Sequence, residues 1–241
     1  MSFHETFGRR CTTLYVMFAS KAVLFLSIAA FGFAPLQGTT YSLREKHNEG
    51  SERTYEIAVN FEAEGFTMEM KSKNRFKITK VNADGSYEEE DTLLGGTIKF
   101  NGEEQAIDPE DAKTHKYDKD GKEIKEDKEE EEDPISTLLD LLDGSDPVEA
   151  VKAGQKWEHE SKVGKTKFEF VGPEKLEDIE TLKSTCEGKF TKEGFSGDMT
   201  ATSWVRASDA SLQKLELKTD NMVPGEGSPA GKVKITVTRT E

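Results

Sequence analysis

The chain is predicted to be mainly β, a curved antiparallel sheet closing to an incomplete barrel or half-barrel, with one short lid or plug helix. Three observations predict it. Apolar and polar residues alternate with period two along most of the sequence, turn dipeptides separate the alternating runs, and the runs number about a dozen. Alternation puts one row of side chains on a buried face and the next in water, the habit of antiparallel strands. An open twisted sheet rarely exceeds ~10 strands without curling, closing or splitting. A two-sheet β-sandwich is therefore the alternative architecture.

Taken in order, Tyr55, Ile57, Val59 and Phe61 alternate with Glu56, Ala58, Asn60 and Glu62. Phe66, Met68 and Met70 repeat the pattern, followed by Phe76 and Ile78 and by Ile98 and Phe100. Phe168 and Phe170, then Leu215 and Leu217, carry it through the second half, and Val233, Ile235 and Val237 mark a final strand over 232–240. Asp84-Gly85, Asn101-Gly102 and Asp120-Gly121 each offer the residue pair that a tight hairpin with φ > 0 requires.

The pattern breaks over residues 103–146. Between Glu103 and Asp133 stand fifteen acids and six lysines, ending in Lys128-Glu-Glu-Glu-Glu-Asp133. Such a run repels itself and cannot be buried, so 103–133 reads as a solvated acidic loop, able at most to hold a divalent cation weakly. Residues 135–143 then read as a short helix. Ile135, Leu138, Leu139 and Leu142 share one face, and Gly144 supplies a stop. These four are the candidate ligand-binding residues, either a lid over an apolar concavity or a plug filling it. The β-rich stretches on either side show no internal repeat, and 39–241 reads as a single β-rich domain.

The amino terminus stands apart. Ala22 to Phe33 is apolar throughout, preceded by Arg9, Arg10 and Lys21 and followed by Pro35. A basic start, a short apolar run and small residues beyond it are the parts of a secretory signal, here residues 1–38 with cleavage between Gly38 and Thr39. Met17 is an alternative start. The twin-arginine pair is followed by Cys-Thr-Thr-Leu, a poor fit to that export route. Cys11 precedes the apolar run, so it cannot be a lipoprotein attachment site. An uncleaved anchor over 15–34 is the rival reading, with Lys21 reaching back to the membrane surface. Export places the protein in the periplasm or outside the cell. After cleavage, 30 basic and 46 acidic residues remain, a net charge of −16, and Cys186 is the one cysteine left, so no intrachain disulfide can form. A chain this acidic is repelled by a polyanion, which argues against a nucleic-acid partner.

Catalytic constellations are missing. His159, within Trp157-Glu-His-Glu160, would face away from both glutamates on a strand, which does not suit a metal centre. Gly194-Phe-Ser-Gly197 lacks the spacing of a nucleophile elbow. Gly225-Glu-Gly-Ser-Pro-Ala-Gly-Lys232 resembles a phosphate loop but has the wrong glycine spacing and continues with Val233. Tyr117 to Glu123 has a calcium-loop flavour, yet with Gly121 at the sixth position Lys116 falls where the first acid ligand belongs. Cys186 reads as a small buried side chain, and Trp157 and Trp204 as core or edge-sealing residues. No enzyme activity, cofactor or resident metal is expected.

Asp146-Pro-Val-Glu-Ala-Val-Lys-Ala-Gly-Gln-Lys-Trp157, the Phe170-to-Leu182 stretch and the Trp204-to-Leu217 hairpin resemble exported bacterial β-rich proteins of unknown function. Those are similar in outline to periplasmic lipoprotein-carrier half-barrels, in which a helical lid closes over an apolar cavity. The resemblance implies an envelope protein that binds a lipid or lipoprotein-like ligand and transfers no catalytic residue. The alternative is a structural or protein-interaction module with a self-filled core. Nothing in the sequence fixes an oligomeric state.

Overall fold

The first and last strands lie side by side at the centre of one sheet. In the computed structural model, β1 (Glu52–Ala63) pairs antiparallel with β11 (Gly231–Arg239), setting Ile57 against Val237, Val59 against Ile235 and Phe61 against Val233. The structure describes residues 38–124, 138, 141, 142, 144–147, 149–192, 195–222 and 230–240. From that central pair the sheet extends both ways through hairpins. On one side lie β2 (Phe66–Val81), β3 (Tyr87–Phe100) and β4 (Glu103–Ile107). On the other lie β10 (Leu212–Met222), β9 (Phe195–Arg206), β8 (Ile179–Lys192), β7 (Gly164–Leu176) and β6 (Lys156–Glu160). β5 (Lys113–Tyr117) also pairs with β3, along the part that β4 leaves open. The result is one eleven-stranded antiparallel sheet, curved and not closed into a barrel.

The alternation read from the sequence is the alternation of burial. Tyr55, Ile57, Val59 and Phe61 are buried while Glu56 and Glu62 are exposed, and Val233, Ile235 and Val237 meet them from β11. Each fully buried aliphatic of this kind contributes about 1.5–3 kcal/mol of transfer free energy. The buried rows form one continuous apolar cluster on the concave face, from Ile98 on β3 to Phe168 on β7. A smaller cluster of Ile78, Tyr87 and Tyr117 sits at the β3–β5 end.

Register shifts interrupt the pairing at Lys73/Asn74 in β2, Phe170/Gly172 in β7, Leu212/Lys214 and Thr219/Met222 in β10. Bulges sharpen local twist and bend, which is how so wide a sheet curls. The curl is tight enough for residues 41–48 to cross its hollow as an extended strap. Tyr41 meets Phe170 of β7 and His47 stacks on Tyr87 of β3. On a flat sheet β7 and β3 would stand about 34 Å apart at ~4.8 Å per strand. Six extended residue steps reach only about 20 Å.

Several turns follow the expected chemistry. Asn101 (φ 47°) and Gly102 (φ 93°) both take the left-handed conformation between β3 and β4, and the Asn101 side chain accepts the Thr67 N–H at 2.8 Å. At the other two sites only the glycine is left-handed, Gly85 at 90° and Gly121 at 79°, each closing a turn begun three residues earlier.

Two features differ from the reading of residues 103–143. The first half of the expected acidic loop is strand: β4 and β5 are ladders on β3 rather than solvated chain. Both have most side chains exposed, so backbone pairing holds β4, pairing and the one buried Tyr117 hold β5, and no apolar alternation marks either. Of the expected helix, Leu138 is helical and Leu141, Leu142 and Gly144 are in turns, while the remaining positions, Ile135 and Leu139 included, lie outside the described residues. The chain between β5 and β6 joins opposite ends of the sheet, and it is the one link between successive strands that is not a hairpin or a short turn on a shared neighbour.

Candidate functional site

Two parts of the concave face carry chemistry worth building up. The first lies over β6–β10, where the segment returning from β5 docks. Leu138 and Leu141 are fully buried in the main apolar cluster and Leu142 packs half-buried against it. Leu138 and Leu142 thus lie against the apolar cluster of the concave face. Leu141 was not singled out from the sequence, although its spacing of three from Leu138 is a helical-face signal.

The docking has a specific polar anchor. Trp157 of β6 donates its indole N–H to the Gly144 carbonyl at 2.7 Å and stacks on Phe168 of β7 with ring centres 5.5 Å apart. Gly144 also lies so close to His159 that an added Cβ would stand 2.1 Å from the His159 Cβ. Gly144 is required by this approach, not only as a helix stop. His159 shares the half-buried side of β6 with Trp157, and Glu158 and Glu160 are exposed on the other, as the alternation predicts. Beneath Leu142 and Ser145 a gap of about 30 Å³ opens, lined by Phe168, Cys186, Ala201 and Leu215 among others. That is far below the several hundred Å³ of a typical small-molecule pocket.

The second part lies over β1–β3 and β5, where inward positions are charged instead of apolar. Arg53 of β1 donates to Glu45 of the strap and, at 3.2 Å, to Glu89 of β3. Asp91, two positions further along β3, is buried beside them. Burial pushes the Glu45 carboxyl up to about 7, with Arg53 opposing, and the Glu89 carboxyl up to about 8 against the same guanidinium. Burial likewise lifts Asp91 to about 7, against the pull of His115. His115 Nδ1 lies 2.7 Å from Glu123 Oε1, a bond that raises the imidazole above its ordinary value. His47, enclosed and stacked 3.8 Å from Tyr87, is pushed down to about 3 by burial and then by Arg53, so it is neutral. A cavity of about 390 Å³ flanks this region, between strap residues 44–48 and the turns at Gly85 and 119–121.

None of this cluster was found from the sequence. Glu88 to Asp91 is an unbroken acidic run in which the inward parity of Glu89 and Asp91 is invisible, and their partners come from distant strands. The one local signal is the period-two spacing of Tyr41, Leu43, Glu45 and His47.

The other singled-out residues fall as follows. Cys186 is buried, and burial pushes its thiol up to about 12. Trp204 is buried on the face opposite Ala201 and Val205, with Lys183 and Lys214 ammonium groups 5.4 and 5.5 Å from its ring centre. Asp118 accepts the backbone N–H groups of Asp120 and Lys122 at 2.9 Å, and Asp120 pairs with Arg44 at 2.6 Å, so both carboxylates serve the turn. Among the described residues no group of three or more His, Cys, Asp or Glu could hold a metal ion. The acidic run 125–133, residues 223–229 of the glycine-rich string and residues 1–37 of the expected signal lie outside the described residues, while Gly38 and Thr39 are exposed. Among the described residues no helix is long and apolar enough to cross a membrane.

No protein-family model matches the chain, and no curated protein does. Among solved structures, the chain is similar to a candidate exported protein of Bacteroides fragilis with a YmcC-like fold, at 8% identity and a TM-score of 0.34 over 91% of this chain and 100% of that one. It is also similar to the hypothetical lipoprotein YmcC of Escherichia coli, at 14% identity and a TM-score of 0.27 over 78% of this chain and 87% of that one. A third is a DUF1329 family protein of Desulfovibrio piger, at 11% identity and a TM-score of 0.25 over 80% and 85% of the two chains. None of these descriptions names a reaction. The fold of this chain rests on the pairing register given above.

Proposed function

We propose that this is an exported, non-catalytic protein of the cell envelope, a structural or protein-interaction module whose curved sheet is filled by its own side chains. The observation that carries the reading is the packing of the concave face: the apolar gap under Leu142 measures about 30 Å³, far below the several hundred Å³ of a typical small-molecule pocket. Leu43, Leu138 and Leu141, from two different covering segments, occupy the space that a carrier would leave for its ligand. Export is supported by the Ala22–Phe33 apolar run behind Arg9, Arg10 and Lys21.

The outer face suits such a role. Lys156–Glu169, Lys167–Glu158 and Lys189–Asp198 pairs, at 2.9, 3.5 and 2.9 Å, lie exposed across neighbouring strands. Pairs of this kind add little stability, but they keep a broad sheet surface wet and patterned in charge. The charged rim strands β4 and β6 discourage indiscriminate edge pairing.

A second reading, carriage of an apolar ligand beneath a lid, is favoured by one observation. The gap under Leu142 is almost wholly apolar, and the turn above it is tied to the sheet edge through the Trp157–Gly144 bond named above. Native mass spectrometry of the mature protein, followed by solvent extraction and titration with a fluorescent fatty acid, separates the two. A clean apo mass with no probe uptake is expected. Co-purified lipid, or saturable uptake lost in Leu142→Asp, would replace the first reading by the second.

A further inference from the structure

Where the strap crosses β1 and β3, three carboxylic acids are enclosed with one arginine. The Arg53, Glu45 and Glu89 side chains are 2%, 7% and 2% exposed, and Glu45 and Glu89 bind the guanidinium from opposite elements. Asp91 is buried on the same face of β3, and neither its Oδ1 nor the Glu45 Oε2 has a hydrogen-bond partner among the described residues. The surrounding groups do not balance the excess. Glu45 faces Asp209 and Arg239 as well as Arg53, but Arg239 is half-buried and also donates to Ser211. Glu89 faces Asp91 and His115, and that imidazole is already bound to Glu123. Asp91 faces His115 and Asn74 first, and then Lys113 and Glu110, which pair with each other at 2.7 Å. Tyr55 and Tyr87 complete the enclosure, both with phenols held neutral by burial. Away from water, one guanidinium cannot compensate three carboxylates, so the cluster must retain protons to stay closed.

The strap is the element free to respond. Tyr41 exchanges backbone hydrogen bonds of 2.7 Å with Val151 in both directions, and the chain is pinned again where Gly50 and Ser51 bond Ile78. Between these points residues 42–47 belong to no strand, and side chains hold them down: Leu43 in the apolar cluster, Arg44 on Asp120 and Asp146, Glu45 on Arg53, His47 on Tyr87. The cavity beside residues 44–48 brings solvent alongside.

We propose that residues 41–48 are a proton-controlled closure of the hollow, shut while the carboxyl cluster around Arg53 keeps its protons and released as those carboxyls ionise. The upward displacement of Glu45, Asp91 and Glu89 by burial puts the change between mildly acidic and mildly alkaline conditions. Release carries Glu45 into water, leaves Arg53 to Glu89, and uncovers the apolar wall behind Leu43.

Hydrogen exchange of the full chain, read as protection relative to the intrinsic rate at each pH, tests this. Protection of residues 41–48 should fall about tenfold per pH unit for each proton released and stay below that of β1 and β11, which open only with the whole sheet. In Glu45→Gln with Glu89→Gln the strap should stay protected across the range. Strap protection that is flat in the wild type, or equal to that of β1 and β11 at every pH, overturns the proposal, as does an unchanged slope in the variant. Should that variant not fold, the wild-type infrared band of protonated carboxyl decides. Its loss in step with strap protection supports the closure, and its absence at mildly acidic pH refutes it.

Discussion

The indole N–H of Trp157 points at the carbonyl of Gly144, 2.7 Å away, and fastens the segment returning from β5 to the rim of the sheet. Trp157→Phe keeps the stack on Phe168 and removes this bond. A loss of about 1 kcal/mol is expected, read as a lower urea midpoint with unchanged slope. Gly144→Ala should cost more, because its Cβ would overlap His159 and force the turn off β6.

Leu138 tests whether that segment is a plug. A fully buried leucine in the continuous apolar cluster should lose about 2–5 kcal/mol on Leu138→Ala, by equilibrium denaturation. A loss below ~0.5 kcal/mol would mean that the segment rides on the surface as a detachable flap.

The pH dependence of folding has a definite sign. Glu89 stands at about 8 in the folded protein against 4.5 for a free glutamate, so the folded state holds more protons between those values. Its contribution is complete below about pH 4.5 and is lost as pH rises through about 8, changing by up to ~1.4 kcal/mol per pH unit. Glu45 and Asp91 act in the same direction up to about 7. His47, lowered to about 3 from 6.5, works the other way between those values. Thermal melting should therefore show maximum stability on the acid side of neutrality, and Glu89→Gln should flatten the alkaline fall.

How much of this was legible follows from what each position buries. Where inward residues are apolar, as at Ile57, Val59, Ile235 and Val237, burial writes itself as alternation and the strands could be read directly. The curvature could be inferred from the number of such runs. Where the inward residues are charged, as at Arg53, Glu89 and Asp91, the same alternation is silent, because hydropathy does not distinguish a buried acid from a solvated one. Glu104 fails for the opposite reason: it sits on a strand with almost nothing buried, held by its ladder to β3. Leu138 and Leu142 were recoverable from helical spacing, whereas the docking of Gly144 on His159 joins two segments whose proximity only the pairing of β6 with β7 creates.

The β3–β4 hairpin offers a local test. Asn101 is left-handed and its side chain holds the Thr67 N–H. Asn101→Ala should cost about 1–2 kcal/mol from backbone strain and the lost acceptor, and Asn101→Gly less, both by chemical denaturation.

The Cys186 thiol is enclosed and pushed up to about 12, so a disulfide reagent at mildly alkaline pH should leave the folded protein unmodified. Cys186 should react on adding denaturant. Rapid labelling of the folded protein would show that the wall beside Leu142 opens readily.

Because Val59 and Ile235 face each other in the middle of the sheet, local hairpins can build each half but cannot join them. Pairing so distant in sequence is slow to form. The seam between the halves therefore sets the pace of refolding, and a loosened β1–β11 joint would leave two separately structured wings.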